Sequence, residues 1–437
     1  MSNLITRSVG ELVEEYYIIY GKNLNSNRAL PLLYDGLKPG YRRIIATALG
    51  MGGNHVKSPD LVGAVYKVHP HSTEAIYRSI VNLVRKGILV EDGNFGYYPI
   101  YGMQSPAANQ RYTETGVTKK WFDCLSLILN YVPRVPGEVE GVMEPEYIGT
   151  PLPLSLVIGS RGIGIGINTN IPSFSPKSLV DAYFNNDPSL LKSYYDLEID
   201  YDNSELDRLW NTGSGRVIYK YHVEKGCDVN GQDGVWVSGD TNLFTPDWSV
   251  IDEWKSQGLL FTRDESTGGK NMLFIGRNKG VRKINQDMIY QECLRCTSTL
   301  YIWDQIMYTY NIGIHDGKVA RYISMKEWID TTYSNYLNLV ETYRQENLKQ
   351  LEFSKLVQTY LKQVAEILLT SEGDITNQDI ADKLGIDLEV VNAITRKSIS
   401  TLKRADTESE LIKIGNNIKY FKKLSPSEFT KSIVEEM

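Results

Sequence analysis

From Met325 onward, apolar residues recur at alternating steps of four and three: Ile329, Tyr333, Tyr336, Val340 and Tyr343, then, after a break, Phe353, Val357, Tyr360, Val364 and Ile367. That alternation keeps a narrow stripe on one face of a helix, and such a stripe is buried best against another helix. A partner follows in Leu411, Ile414, Ile418 and Phe421, at steps of three, four and three. The pattern predicts a long antiparallel helical pair with a compact knot between its arms, after an interruption at Ser371-Glu-Gly-Asp374. Within the knot, Ile375 to Ile386 followed by Val390 to Ile399 has the spacing of a helix-turn-helix. Glu372, Asp374, Asp379, Asp382, Asp387 and Glu389 surround it and would repel phosphate, so packing or dimerisation is expected there rather than DNA reading.

A length of 437 residues argues for two or three domains. The middle, from about Glu144 to Ile323, is rich in β-branched and aromatic residues and broken by turns such as Asn230-Gly231 and Asp233-Gly234, which reads as an α+β domain. The first segment, to about Pro133, reads as short helices with a strand-like stretch over 88–98, compatible with a winged helix-turn-helix. Over 73–86, Ile76, Ile80 and Leu83 share one helix face while Arg78, Asn82 and Arg85 share another. The glycine-rich run from Gly159 to Gly166 lacks G-x-G-x-x-G spacing, so a close backbone approach is expected rather than a dinucleotide site. The expected fold class is therefore α+β and multidomain.

Composition narrows the setting. No run of about 18 apolar residues is present, and Glu11, Glu14 and Glu15 make the N-terminus too acidic for a signal peptide, so a cytoplasmic protein is expected. Four cysteines, at 124, 227, 293 and 296, are too few for a disulfide scaffold. Cys293 and Cys296 have the spacing of half a zinc site without the other half, and read as buried free thiols.

The chemistry gathers upstream. Arg111-Tyr112 follows Arg28, Asp35-Gly-Leu-Lys-Pro39, Arg42-Arg43 and His69-Pro-His71. Tyrosine ionises near pH ~10, so as a nucleophile toward phosphate it needs neighbouring cations. From Arg28 to Lys120 there are twelve Lys/Arg against six Asp/Glu, so a chain of net charge −6 carries +6 in this window and −12 outside it. A basic patch on an acidic body grips phosphate at one place and repels it elsewhere. His69 and His71 read as phosphate-contacting or acid/base groups; a His-hydrophobic-His metal site paired with the tyrosine is the alternative, and Pro70 is atypical for it.

Taken in order, Arg28-Ala-Leu-Pro31, Asp35-Gly-Leu-Lys-Pro39 with Arg42-Arg43, Val68-His-Pro-His71, Asp92-Gly-Asn-Phe-Gly96, Ala107-Ala108, Arg111-Tyr112-Thr-Glu114, Gly159-Ser-Arg-Gly-Ile163 and Thr169-Asn-Ile-Pro172 resemble the A subunit of type IIA DNA topoisomerases. That family includes gyrase A, topoisomerase IV A and the phage medium subunits. Ile314-His-Asp-Gly317, and Val391-Asn-Ala-Ile394 with Ile399 and Leu402, resemble the two ends of its coiled coil. The resemblance implies a winged-helix cleavage domain over 1–140, a tower-like α+β domain over 141–324, and a coiled coil with a dimerisation knot over 325–437. It implies Tyr112 as a nucleophile forming a 5′-phosphotyrosyl bond, Arg111 beside the scissile phosphate, and Arg28, Arg43, His69 and His71 around it. Lys38, Arg42, Arg78 and Arg85 are expected to contact DNA, and Ile163 to wedge between base pairs, where an apolar side chain kinks a duplex.

The chain also departs from the family pattern: Tyr97 to Met103 replaces an acidic turn. No glycine-rich nucleotide loop, acidic Mg²⁺ cluster or C-terminal propeller is read in it. ATP and Mg²⁺ are thus expected on a partner subunit bearing the ATPase and topoisomerase-primase domains, with a homodimer of this chain at the centre. Such a minimal, divergent member of the family suggests a phage-encoded enzyme. Two competing readings are a non-enzymatic architectural DNA binder with a structural tyrosine, and a metal-dependent single-strand nuclease using His69 and His71.

Overall fold

Ser8 starts the first helix, α1 (Val9–Leu24), through a capping box: its hydroxyl accepts from Glu11 N–H at 3.2 Å while its own N–H donates to the Glu11 carboxylate at 2.9 Å. The computed structural model describes residues 8–266, 271–301, 308–371, 375–396 and 407–436. They fall into two units, Met1–Tyr336 with Ile433–Met437, and Leu337–Ser432. Helix α1 passes into a single π-helical turn, Asn25–Ala29, which carries Arg28.

Beyond that turn the chain bends at Asp35, and α2 (Pro39–Gly50) begins with proline at its first position, where the missing N–H costs nothing. Asp35 is fully buried and saturated. Its carboxylate accepts from Leu37 N–H at 2.8 Å, Ile148 N–H at 3.0 Å, and Arg42 Nε and Nη2 at 2.6 and 3.0 Å. Arg42 Nη2 also donates to Leu37 O at 2.8 Å. The next helices are α3 (Ser58–Tyr66) and α4 (Thr73–Arg85). Helix α4 buries Ile76, Ile80 and Leu83 as their spacing predicts, together with Tyr77, Val81 and Val84. Residues 88–98 form no continuous strand; isolated bridges join Leu89 to Val117 and Asp92 to Glu114. The short strands β1 (Val56–Lys57) and β2 (Glu114–Thr115) pair antiparallel beside them.

The middle of the chain mixes helices with small sheets, as its composition predicts. Strands β3 (Arg134–Pro136) and β4 (Met143–Pro145) form a hairpin. Strands β5 (Ser160–Ile163) and β6 (Asn168–Ile171) form another, continued into a four-stranded sheet by Thr309–Asn311 and Ser214–Arg216. A second four-stranded antiparallel sheet runs His222–Cys227, Asp233–Ser238, Met272–Arg277, Leu260–Asp264. Helix Gln286–Cys296 packs on it, with Cys293 and Cys296 buried as free thiols. Burial pushes both thiols well above their ordinary pKa, which leaves them unreactive.

The helix Met325–Thr370 runs for 46 residues and carries both apolar runs without the break that the sequence suggested between them. In the first unit, Ile329 and Tyr336 are fully buried, and Trp328 Nε1 donates to Leu33 O at 2.7 Å. In the second unit, Val357, Leu361 and Val364 form a core with Ile380, Ala381, Val390, Val391 and Ile394 from helices Asn377–Leu384 and Leu388–Thr395. Gly385, at φ +62°, turns the chain between those two helices. The return helix Thr407–Lys423 lies against the long one, with the Tyr343 and Phe421 rings 5.6 Å apart and Lys422 3.5 Å from Glu352. Ile399 and Leu402, and the interruption at 372–374, lie outside the described residues. Among the described residues no helix is long and apolar enough to cross a membrane.

Two stability predictions follow from buried groups. Replacing Asp35 with alanine strands the buried Arg42 charge and two backbone donors, and should cost about 3–5 kcal/mol in urea unfolding, the scale for breaking one side of a buried ion pair. The second concerns His315, whose Nδ1 accepts from Gly317 N–H at 3.1 Å while its Nε2 is buried without a partner. Burial, reinforced by Arg42, pushes its pKa from 6.5 down to about 4. Between those values the unfolded chain takes up a proton that the folded chain refuses, so stability is full above pH 6.5 and falls on acidification toward pH 4. From pH 7 to pH 5 the loss from this group should be about 2 kcal/mol. His315→Asn, which keeps an acceptor for Gly317, should remove that share of the pH dependence of the urea midpoint.

Candidate active site

Six segments line an open groove of about 1250 Å³ in the first unit. The π-helical turn contributes Arg28, the start of α2 contributes Lys38 and Arg43, the turn after α3 contributes His69 and His71, and β5 contributes Arg161. Lys86, just past α4, also lines it. The hairpin of β3 and β4 adds two carboxylates, Glu138 and Glu144. Glu144 grips Arg43 Nε and Nη2 at 2.7 and 2.9 Å, and Glu138 takes Arg43 Nη1 at 2.5 Å. Arg43 Nη1 also lies 2.8 Å from His69 Nδ1.

Burial, then the nearby charges of His71 and Arg43, lower the His69 pKa below 6.5. The imidazole is therefore neutral at neutral pH, and beside a guanidinium that can only donate, Nδ1 is its acceptor and Nε2 carries the proton. His69, His71 and Glu138 could bring three ligand atoms within 4.8 Å of one another. Arg43 already binds the Glu138 carboxylate and His69 Nδ1, placing a fixed positive charge beside any cation held there. The cluster is built for an anion, which takes away the basis of the metal-dependent nuclease reading.

Tyr112 stands on a separate, rigid platform. It ends a 3-10 turn, Gln110–Tyr112, that begins at Asn109, and its side chain is 64% exposed. Beneath it Thr113 is buried, its hydroxyl 2.7 Å from Ser58 Oγ, 3.1 Å from Tyr77 Oη and 3.2 Å from Gln110 O. Ser58 N–H donates to Thr113 O at 3.0 Å, which ties the turn to the start of α3. Gly93, at φ +101°, passes so close that a Cβ would come within 2.8 Å of Tyr112 O. The Arg111 guanidinium stacks over the Tyr112 ring at 4.7 Å from its centroid. Neither Arg111 nor Tyr112 lines the groove.

Residues 28–233 match the family of the DNA gyrase/topoisomerase IV A subunits. The DNA gyrase A subunit of Brachyspira hyodysenteriae is 25% identical over 454 residues, covering 94% of this chain and 53% of that protein. Its counterpart in Rickettsia conorii is 27% identical, covering 77% of this chain and 40% of its own length. That of Thermotoga maritima is 30% identical over 52% of this chain and 31% of its own. Over these stretches the chain is similar to the A subunits of DNA gyrase and topoisomerase IV. It spans about half, or less, of the length of these relatives.

Of the residues expected at the A-subunit site, Arg28, Lys38, Arg43, His69 and His71 come together in the groove. Arg42 does not: it is buried against Asp35, and its role is to hold the fold rather than to contact DNA. Arg85 is likewise committed inward. Its guanidinium donates to Phe95 O at 2.8 and 3.1 Å and stacks on the Tyr98 ring at 4.1 Å, because the loop after α4 folds back over it. Arg78 remains on the exposed face, 3.5 Å from Glu74 one turn earlier. Lys38 Nζ donates to Arg161 O at 2.6 Å. Ile163 ends β5 with 83% of its surface exposed. Gly162 beside it bears out the expected close approach, since a Cβ there would collide with Ala29 O.

Sequence reasoning missed Arg161, Lys86, Glu138 and Glu144 as groove residues. Both glutamates lie beyond the basic window that ends at Lys120, and only the β3–β4 hairpin brings them back to it. The Tyr97–Met103 segment proves to be a tie within the first unit. Tyr98 O accepts from Thr241 Oγ1 at 2.5 Å, Ile100 O accepts from Trp248 Nε1 at 2.6 Å, and Tyr101 donates to Asp252 at 2.6 Å. Thr113→Val should test the platform, since it removes a buried hydroxyl with three partners. A loss of about 1–3 kcal/mol in chemical denaturation is expected.

Proposed function

We propose that this chain is the DNA breakage-reunion subunit of an ATP-dependent type IIA topoisomerase, cutting both strands of a duplex through 5′-phosphotyrosyl bonds and resealing them after strand passage. The observation that carries this reading is an exposed tyrosine, stacked under an arginine on a rigid turn, in the same unit as a cationic groove. The groove takes the DNA backbone through Arg28, Arg43, His69 and His71. Ile163 wedges between base pairs and bends the segment, at a cost of a few kcal/mol offset by further phosphate contacts. The Tyr112 hydroxyl loses its proton as its oxygen attacks phosphorus, an O–P bond to tyrosine forms, the bond to the 3′ oxygen breaks, and that oxygen takes up a proton to leave as the 3′ hydroxyl. Arg111 offsets the charge that builds on the phosphoryl oxygens. The phosphotyrosyl ester conserves the energy of the phosphodiester, so the 3′ hydroxyl can reverse the step.

The functional division we infer is a winged-helix cleavage domain over 1–140, a tower-like domain over 141–324, and a coiled coil with a dimerisation knot over 325–437. Tyr112 lies outside the groove of its own chain, which favours a site completed by a second copy, the tyrosine of one facing the groove of the other. Mg²⁺ and ATP belong to a partner subunit in the cytoplasm; bound there, the metal would stabilise the scissile phosphate. Helix α1 supports the need for a partner, since Val9, Val13, Tyr16, Tyr17 and Tyr20 each keep more than half of their surface exposed.

Tyr112→Phe should abolish denaturant-trapped covalent complexes while leaving duplex affinity nearly intact, because affinity comes from the groove. Mixed dimers of Tyr112→Phe and Arg43→Ala chains extend the test. A site shared between copies leaves one intact site per mixed dimer and yields single-strand nicks; a site within one chain yields none. Covalent complexes at the unmodified level with Tyr112→Phe would remove the assignment.

A further inference from the structure

Arg43, His69 and His71 already face an anion, and it belongs to the chain itself. Glu138 Oε2 lies 2.5 Å from Arg43 Nη1 and 3.5 Å from His69 Nδ1, and its Oε1 lies 3.1 Å from His71 Nε2. A carboxylate spreads one negative charge over two oxygens, as a phosphodiester does over its two non-bridging oxygens, and arginine binds both alike. The two glutamates of the hairpin divide the work. Glu144 grips the far edge of Arg43 through both oxygens and is only 19% exposed, so it fixes the guanidinium in place. Glu138 is 37% exposed and stands in front, bound by Arg43 and 3.1 Å from His71 Nε2.

The backbone around Glu138 does not depend on where its carboxylate sits. The turn between β3 and β4 is closed by Gly137 N–H on Val142 O at 2.7 Å and by Val142 N–H on Val139 O at 3.1 Å. Neither bond involves the Glu138 side chain, so the carboxylate can swing out without opening the hairpin. Partial burial alone would raise its pKa, but Arg43, His71 and His69 outweigh that and hold it below the usual glutamate value. The group is thus an anion throughout the neutral range.

We propose that Glu138 is a resident stand-in for phosphate: it fills the anion position of the groove in the DNA-free chain and is displaced by the backbone of an arriving duplex. This rests on the reading of the groove as a DNA-backbone site. A half-exposed ion pair is a weak lock. A small anion offers a single contact with which to displace it. A duplex brings several phosphates at once, engaging Arg28 and Arg161 as well, and gains from their linkage. Glu138 therefore makes the groove select a polyanion over free phosphate.

The test compares full-length protein with Glu138→Gln, which keeps shape and loses charge, and with Glu140→Gln, an exposed glutamate on the same turn outside the cluster. Binding of a labelled duplex is followed by fluorescence anisotropy at fixed ionic strength, with inorganic phosphate as the competing small anion. Glu138→Gln should bind duplex roughly tenfold tighter, and phosphate should displace duplex from it at concentrations without effect on the unmodified chain. Glu140→Gln should change affinity by less than about twofold, as a distant screened charge does. Unchanged affinity in Glu138→Gln, or equal tightening in Glu140→Gln, overturns the proposal. Arg28→Ala separates the two levels of inference. If it weakens duplex binding while Glu138→Gln leaves it unchanged, the stand-in role falls and the groove remains a DNA site; if neither changes it, both fall.

Discussion

The buried carboxylate of Asp35 joins pieces of chain that would otherwise have no reason to meet. It fixes Arg42 at the start of α2, and through Ile148 N–H it reaches the segment that leads to the helix Leu154–Ile158 and on into β5. Backbone bonds at the same bend extend that reach, since Leu154 N–H donates to Asp35 O at 2.9 Å and Ser155 to Gly36 O. Gly36 sits at φ +70° with no room for a Cβ, which would lie 2.8 Å from Leu154 N. Just before it, Leu33 O takes the Trp328 indole at the root of the long helix, and Leu33 N–H donates to His315 O at 2.8 Å. The groove cations of α2 and the exposed Ile163 of β5 are thus held in one frame by a single satisfied bend. A buried ion pair is seldom a large source of stability, and its use here is to make one arrangement correct and the others costly.

Charge in the groove is balanced more closely than the basic window suggests. Of the cations between Arg28 and Lys120, Arg42 is neutralised by Asp35, Arg78 by Glu74, and Arg43 by Glu138 and Glu144. Arg85 is spent on a carbonyl and an aromatic ring. The remaining unneutralised groups around Arg28 and Arg161 make a smaller positive region than a count of residues predicts. An arginine surrounded by carboxylates and a neutral histidine is held close to one rotamer, so its charge acts at one point rather than over a distance.

The two halves of the chemistry are supported differently. Tyr112 depends on hydrogen bonds within a few turns of chain, among Ser58, Tyr77, Gln110 and Thr113. The groove depends on contacts between residues a hundred or more positions apart, such as Arg43 with Glu144 and Lys38 with Arg161. A local platform keeps its shape when distant parts shift, whereas a groove assembled from six segments changes with any of them.

By itself the sequence determined the helical C-terminal run, the buried stripe of α4, a close backbone approach within the glycine-rich run 159–166 and the set of motifs that resemble the A-subunit family. Each is legible because it is written in neighbouring residues, as a 3.6-residue period, a glycine-rich run, or a short motif whose chemistry needs those residue types side by side. Only the tertiary structure decided which cations face solvent. Arg42 and Arg43 are adjacent in sequence, yet successive positions on a helix point about 100° apart, so one is buried on Asp35 and the other turns into the groove. It alone decided that a hairpin more than twenty residues beyond Tyr112 brings Glu138 in front of the two histidines, because the spacing along the chain says nothing about where a hairpin will dock.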